Sequence, residues 1–268
     1  MLLNSPQMRS NSVDKRARAF FRTLVLVFSL LEVLVRFWIL RLRLGQRLSL
    51  RDQANWLHQA CGIISRRLGL RVSVSGPVPA SGLIASNHLS HLDILLYAAV
   101  MPCIFISKSD VLSWPMFGLL ARCGGTIFVD RQRRHGVGNP ATAVASALAS
   151  EIPVVLYPEG TSTDGSSVLP FHSSFFQPGI TTGTPIVPAA IGYSAADCDE
   201  ADLCYYGDLT FFPHLLGVLG RKWVEGRIMF SNNPATYTDR KIAAKTSWEA
   251  VVSFREKLLE LTETVSGG

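Results

Sequence analysis

The stretch Asn87-His-Leu-Ser-His-Leu-Asp93 places two imidazoles and a carboxylate within seven residues. Three chemistries use such a set: a metal site, a base with its orienting carboxylate, or a helix start capped by polar side chains. A short apolar strand, Gly82–Ser86, leads into it, and an apolar helical run, Asp93–Val100, leads away. His88 thus stands at a strand-to-helix junction. Asp93 is expected about one turn into a helix that starts near Leu89, from where its carboxylate can fold back and accept the imidazole N–H. That bond would fix the tautomer and leave the other ring nitrogen free to take a proton. This is the base-and-orienter half of a triad, with the attacking hydroxyl brought by the substrate. Asn87 and Ser90 read as turn and capping residues, and His91 as a helix-surface residue. The metal alternative is weaker. H-x2-H-x-D falls short of a facial ligand set, and His58, His135, His172 and His214 bring no carboxylate at ligand spacing. No metal and no cofactor are expected.

Three further blocks carry polar groups at strand ends. Gly124-Gly-Thr-Ile-Phe-Val-Asp-Arg131 delivers a guanidinium after a β-branched run. Tyr157-Pro-Glu-Gly-Thr-Ser-Thr-Asp-Gly165 follows a strand with a carboxylate, hydroxyls and a glycine turn. Pro185-Ile-Val-Pro-Ala-Ala-Ile-Gly192 is an apolar strand whose internal proline suits an edge position beside a pocket. No G-x-S-x-G nucleophile elbow occurs.

These four blocks, in this order, resemble the glycerolipid acyltransferase family typified by lysophosphatidic acid acyltransferase. NHLSHLD is similar to its N-H-x-S-x-x-D, GGTIFVDR to G-x-x-F-x-x-R, YPEGTS to F-P-E-G-T-R, and IVPAAI to V-P-x-x-I, so that the resemblance spans about residues 70–230. It implies that His88 is the general base for an acceptor hydroxyl, that Asp93 orients it, and that the hydroxyl attacks the thioester of acyl-CoA or acyl-carrier protein without an acyl-enzyme. It also implies that Arg131 contacts an acceptor phosphate, that Glu159, Gly160 and Thr161 shape the headgroup site, and that Lys108 adds a basic group. Glu159 has a second reading, as a structural hydrogen-bonding group. One position departs: Ser162 stands where the third block usually has arginine. Either Lys108, Arg131, Arg133 or Arg134 supplies that charge, or the acceptor is a different lysolipid, zwitterionic or carrying an amino acid. The reading taken is acyl transfer to a lysophospholipid, with lysophosphatidate giving phosphatidate. The rivals are a hydrolase in which His88 activates water and a non-catalytic lipid-binding protein.

The elements that must position these residues alternate. Short β-branched runs at 70–76, 82–86, 103–108, 126–130, 152–158, 185–191 and 226–231 are separated by helical stretches at 114–122, 140–150 and 247–264. The expected fold is α/β, a central mostly parallel or mixed sheet flanked by helices, preceded by an N-terminal membrane-associated helical segment. Residues 1–70 form that segment and 71–268 the acyltransferase domain. Ala19–Leu44 is the most apolar region, and Thr23–Leu40 as a helix would be about 27 Å long, enough to cross a bilayer core. Glu32 interrupts it, with Arg36 placed to pair at i+4. The alternative is a helix lying in one leaflet with flanking arginines at the headgroups, and 50–70 as a second amphipathic helix.

Charge agrees with a membrane-facing end. Residues 1–71 hold 13 Lys and Arg against three acids, a net +10, whereas the remainder holds 13 against 17, a net −4. No basic-aromatic signature of nucleic-acid recognition accompanies it. The expected partners are therefore the lysolipid acceptor, the thioester donor and the membrane surface, at the cytoplasmic face (the inner membrane if the source is bacterial). Five cysteines in no paired or zinc-binding spacing suit reduced, buried thiols.

Overall fold

The computed structural model describes residues 6–114, 116–129 and 140–266, with side chains from 13 to 261 except at 110 and 140–141. A long helix, α1 (Pro6–Leu44), is followed by α2 (Leu50–Leu68). Ser49 opens α2 with a capping box: its hydroxyl accepts the Asp52 N–H, and the Asp52 carboxylate accepts the Ser49 N–H at 2.9 Å. Gly69, at φ +72°, closes the helix in the left-handed region. The remaining elements are β1 (Leu70–Ser75), β2 (Leu83–Ser86), α3 (Leu92–Val100), β3 (Ile104–Lys108), α4 (Phe117–Cys123), β4 (Ile127–Val129), α5 (Pro140–Ala149), β5 (Val154–Leu156), α6 (Gln177–Thr182), β6 (Ile186–Ala195), α7 (Phe211–Leu219), β7 (Val224–Phe230) and α8 (Arg240–Ser266).

The strands form one mixed sheet in the order β1-β7-β6-β2-β5-β3-β4. Five run the same way; β1 and β7 are parallel to each other and β7 is antiparallel to β6. All seven expected strands are present, and the α/β expectation holds. Two short helices were not anticipated. In α7 a proline and a glycine interrupt a nine-residue apolar run that periodicity alone cannot assign. Pro188 does not lie at an edge, since β6 is central. Its carbonyl accepts from the Ser231 N–H, past the end of β7, so its missing N–H falls where the β6–β7 ladder stops.

Val187, Ala189, Ile191 and Tyr193 of β6 share one buried cluster with α1, α2 and α3. Ala190 on the opposite face meets Val251 and Leu258 of α8. A Cβ on Gly226 would lie 2.2 Å from Leu96 Cδ1, so α3 rests directly on β7. The apolar N-terminal helices are thus packed on the same core that carries the site. Glu32 meets Arg36 at 2.7 Å as expected, and also Arg67 of α2 at 2.6 Å. Trp56 Nε1 donates to the Val33 carbonyl at 3.0 Å inside the α1–α2 contact. Arg18 and Arg22, which flank the apolar run and would face headgroups in the one-leaflet alternative, turn inward to the protein. Arg18 donates to the Gly220 carbonyl at 2.7 Å, and Arg22 to those of Arg221 and Lys222 at 2.6 and 3.1 Å, so they satisfy backbone at the end of α7. The opposite face of α1 exposes Phe20, Phe21, Leu24, Phe28, Leu31, Val35, Trp38 and Leu42.

Candidate active site

His88 follows β2 by two residues and Glu159 follows β5 by three. Because β2 and β5 pair in parallel, with Ala85 opposite Leu156, both polar loops leave the sheet side by side at its carboxyl edge. Ligands of open α/β sheets bind in that position. Asn87 is not a turn residue. Its side-chain amide donates to the Ile191 carbonyl at 3.0 Å and accepts the Ile191 N–H at 2.8 Å, one step beyond the last β2–β6 pair, Ser86 with Ala189. The loop is held again by Thr163 N–H to the His88 carbonyl at 3.0 Å and by Tyr205 N–H to that of Leu89 at 2.7 Å.

α3 starts at Leu92, later than expected, so Asp93 lies in the first helical turn and its carboxylate reaches back over an open loop. Asp93 Oδ2 lies 2.7 Å from His88 Nδ1, and accepts the backbone N–H groups of Leu89 at 2.8 Å and Ser90 at 3.2 Å. The carboxylate is fully buried, while the His88 side chain keeps 23% exposure. With Nδ1–H committed to Asp93, Nε2 is the ring's acceptor, and His88 lines the cavity described below. Tyr157 stacks on the imidazole at 4.2 Å between ring centroids. Tyr193 donates its phenolic O–H to Asp93 Oδ1.

Glu159 stands behind His88. Oε1 accepts the His88 N–H at 2.7 Å and Oε2 the Leu169 N–H at 2.8 Å. Burial pushes this carboxyl up to about 7, against the two N–H groups, which favour the ionised form. Both oxygens are turned to backbone, which favours the bracing role over direct headgroup contact. Gly160, at φ +76°, turns the chain so that it, Thr161 and Ser162 line the cavity. Ser162 Oγ donates to the Tyr205 carbonyl. Lys108, the last residue of β3, lines the same cavity. Arg131, with Arg133 and Arg134, lies outside the described residues.

The cavity holds about 370 Å³ and runs from His88 between the sheet and the N-terminal helices. Its far wall is Leu26, Leu30 and Val33 of α1 and Trp56, Ala60 and Ile64 of α2. Such volume and apolar lining suit a hydrocarbon chain. His91 is not a helix-surface residue. Its ring packs 4.8 Å from that of Phe211 and 5.2 Å from that of His214, with both nitrogens shielded, and burial holds its pKa down at about 3, so it is neutral.

Two contributors escaped the sequence reading. Tyr193 shares a strand face with Val187, Ala189 and Ile191, so period-two alternation gives its side, but nothing local links it to Asp93. Arg255 of α8 donates to the carbonyls of Gly165 and Ile191 at 2.8 and 3.0 Å and grips Glu200 at 2.9 and 2.7 Å, tying α8 to the loop after β5 and to β6.

Comparison with known proteins agrees with this geometry. A family model described as Acyltransferase matches residues 70–192. A lyso-ornithine lipid O-acyltransferase of Rhizobium meliloti is 37% identical over 62% of this chain, and the match spans 60% of that relative's length. One of the same name from Brucella abortus is 30% identical over 83% of this chain and 87% of its own. A 1-acyl-sn-glycerol-3-phosphate acyltransferase of Neisseria meningitidis is 35% identical over 47% of this chain and 50% of its own. The crystal structure of PlsC from Thermotoga maritima, a 1-acyl-sn-glycerophosphate acyltransferase, shares the fold at a TM-score of 0.64, with 94% of this chain and 97% of that one covered at 20% identity. Similarity of that extent, along nearly the whole Brucella protein, means that the chain belongs to the acyltransferase family.

Proposed function

We propose that this chain transfers a fatty acyl group from an acyl thioester, on CoA or acyl-carrier protein, to the hydroxyl of a lysolipid, with lyso-ornithine lipid as acceptor. The observation that carries the reaction is the His88–Asp93 pair at 2.7 Å, opening on an apolar cavity of about 370 Å³. His88 Nε2 takes the proton of the acceptor hydroxyl as its oxygen bonds to the thioester carbonyl carbon. The C–S bond then breaks, and the departing thiolate takes the proton back from the imidazolium. Asp93 holds the tautomer and faces the cation formed midway. The acyl chain lies in the cavity, and Arg131 and Lys108 serve the acceptor headgroup.

Two facts support the acceptor. A relative matched over 87% of its own length bears that name, and position 162 carries a hydroxyl engaged with the Tyr205 carbonyl in place of a guanidinium. Lysophosphatidate is the second reading, favoured by the Neisseria relative. The exposed apolar face of α1 is read as the membrane-seated surface, at the cytoplasmic side.

The test is transfer from a labelled acyl thioester by the full chain in detergent micelles, offered lyso-ornithine lipid and lysophosphatidate separately. Ester formation on lyso-ornithine lipid alone is expected. Transfer to lysophosphatidate alone overturns the acceptor, and release of free fatty acid with neither acceptor overturns the transferase reading in favour of a hydrolase.

A further inference from the structure

The Asp93 carboxylate has two differently occupied oxygens. Oδ2 takes three donors, His88 Nδ1–H and the N–H groups of Leu89 and Ser90. Oδ1 is met by the phenol of Tyr193, 100 residues away in sequence. Both residues are buried, Asp93 at zero exposure and Tyr193 at 2%. An unmatched carboxylate oxygen there would be costly. Burial and the facing carboxylate push the Tyr193 phenol well above its ordinary value, so it stays a donor.

Tyr193 is itself fixed from behind. Its backbone N–H donates to Glu200 Oε1 at 2.6 Å, and the two guanidinium nitrogens of Arg255 hold Glu200. A line of directed contacts therefore runs from α8 through the end of β6 to the imidazole.

We propose that Tyr193 is a positioning residue for acyl transfer, setting the orientation and basicity of His88 through the second oxygen of Asp93. The inference rests on His88 being the base. The phenol pins the plane of the carboxylate so that Oδ2 stays in line with Nδ1–H. It also draws negative charge towards Oδ1. Without it, more charge rests on Oδ2, the imidazolium is held more tightly, and the free base is available only at higher pH. The other titratable groups around the pair are Glu159 on the β5 loop, Tyr157 stacked on the ring, His91, Tyr97 on α3, and Cys204. All are retained in a phenylalanine variant.

The experiment compares wild type, Tyr193→Phe, Tyr193→3-fluorotyrosine and His88→Ala as full chains in micelles. It reads kcat and KM against pH with the acceptor that wild type uses, and the His88 ring titration by NMR. Tyr193→Phe is expected to lower kcat about 10- to 100-fold with acceptor KM within about twofold, as outer-shell contacts to a reacting group typically do. Its acidic limb and the His88 titration should move to higher pH. 3-Fluorotyrosine, a stronger donor of the same shape, should move both to lower pH and keep the fold intact. A wild-type kcat with an unmoved titration in Tyr193→Phe overturns the proposal. So does a loss equal at every pH with the titration unmoved, which would mean support of the fold alone. Turnover retained by His88→Ala is a different result: it removes the base, and with it any role for Tyr193 through that base.

Discussion

The side-chain amide of Asn87 and the backbone of Ile191 exchange two hydrogen bonds, at 3.0 and 2.8 Å, in the position a further residue of β2 would occupy. A side chain thus takes over a ladder rung where the main chain must leave the sheet to present His88. Asn87→Ala should leave the buried Ile191 N–H unmatched, at a cost of about 1–3 kcal/mol, while the Ile191 carbonyl keeps its bond from Arg255. Thermal melting should fall by several degrees, and turnover should fall with it. Asn87→Asp should be no better, since an ionised carboxylate would face the Ile191 carbonyl. A melting point equal to wild type in both would show the rung to be dispensable.

His88→Ala and Asp93→Asn act on the proposed base and its orienter. Each should lower kcat by about 10²–10⁴-fold, the typical worth of a positioned base, while acceptor KM changes little. Asp93→Asn should also weaken the loop, because its amide cannot offer acceptors to every donor that the carboxylate now meets. Kinetics over an acceptor series separates the two parameters.

Glu159 carries a pH signature of its own. Its carboxyl is raised to about 7 in the fold, from an ordinary 4.5, so the folded protein binds the extra proton between those values. Its stabilising contribution is complete below pH 4.5 and is lost as pH rises towards 7. Against Glu159→Gln, which does not titrate, wild type should lose on the order of 3 kcal/mol of relative stability across that window. Melting midpoints of the two proteins at pH 4.5 and 7.5 give the difference. A margin that grows with pH would show that the backbone donors outweigh burial.

Much of this arrangement was legible from local pattern. The central strands β2 and β5 are buried on both faces and read as short apolar runs, and the block ending at Asp93 already contained the imidazole and the carboxylate that the fold brings to 2.7 Å. What failed depended on partners far away in sequence. Asn87 looked like a turn former because nothing nearby names Ile191 as its partner. His91 looked exposed because α3 was started too early, and because α7, which carries Phe211 and His214 to it, was hidden in an apolar run broken by Pro213 and Gly217. Pro188 suggested an edge because a strand can also lose a donor harmlessly where its neighbour ends. For Glu159, the family resemblance implied a headgroup site and a bracing role stood beside it, and only the direction of its two oxygens favours one.

Ala60 tests the cavity as an acyl-chain site. It lies on α2 in the far wall, and Ala60→Phe would fill space between α1 and α2. Longer donors should then lose efficiency by roughly fourfold for each methylene left in water, at about 0.8 kcal/mol each, while short ones keep theirs. Competition between thioesters of different chain length reads this directly. An unchanged preference would place the chain elsewhere.

Ser162→Arg restores the guanidinium of the usual third block. Lysophosphatidate should become a better acceptor, its KM falling about tenfold for one charge-assisted contact, while lyso-ornithine lipid gains nothing. Equal effects on both acceptors would remove position 162 from headgroup choice.

Arg18 and Arg22 grip carbonyl oxygens at the end of α7, not side chains. Such a joint does not read the side chains of Arg221 and Lys222, whereas Leu219 is buried in the core and a Cβ on Gly220 would lie 2.9 Å from Lys15 Cγ of the leading helix. Along this part of the seam the leading helix thus grips main chain that survives side-chain exchange at Arg221 and Lys222, whereas its contact with α2 depends on a matched side-chain pair, Glu32 with Arg67.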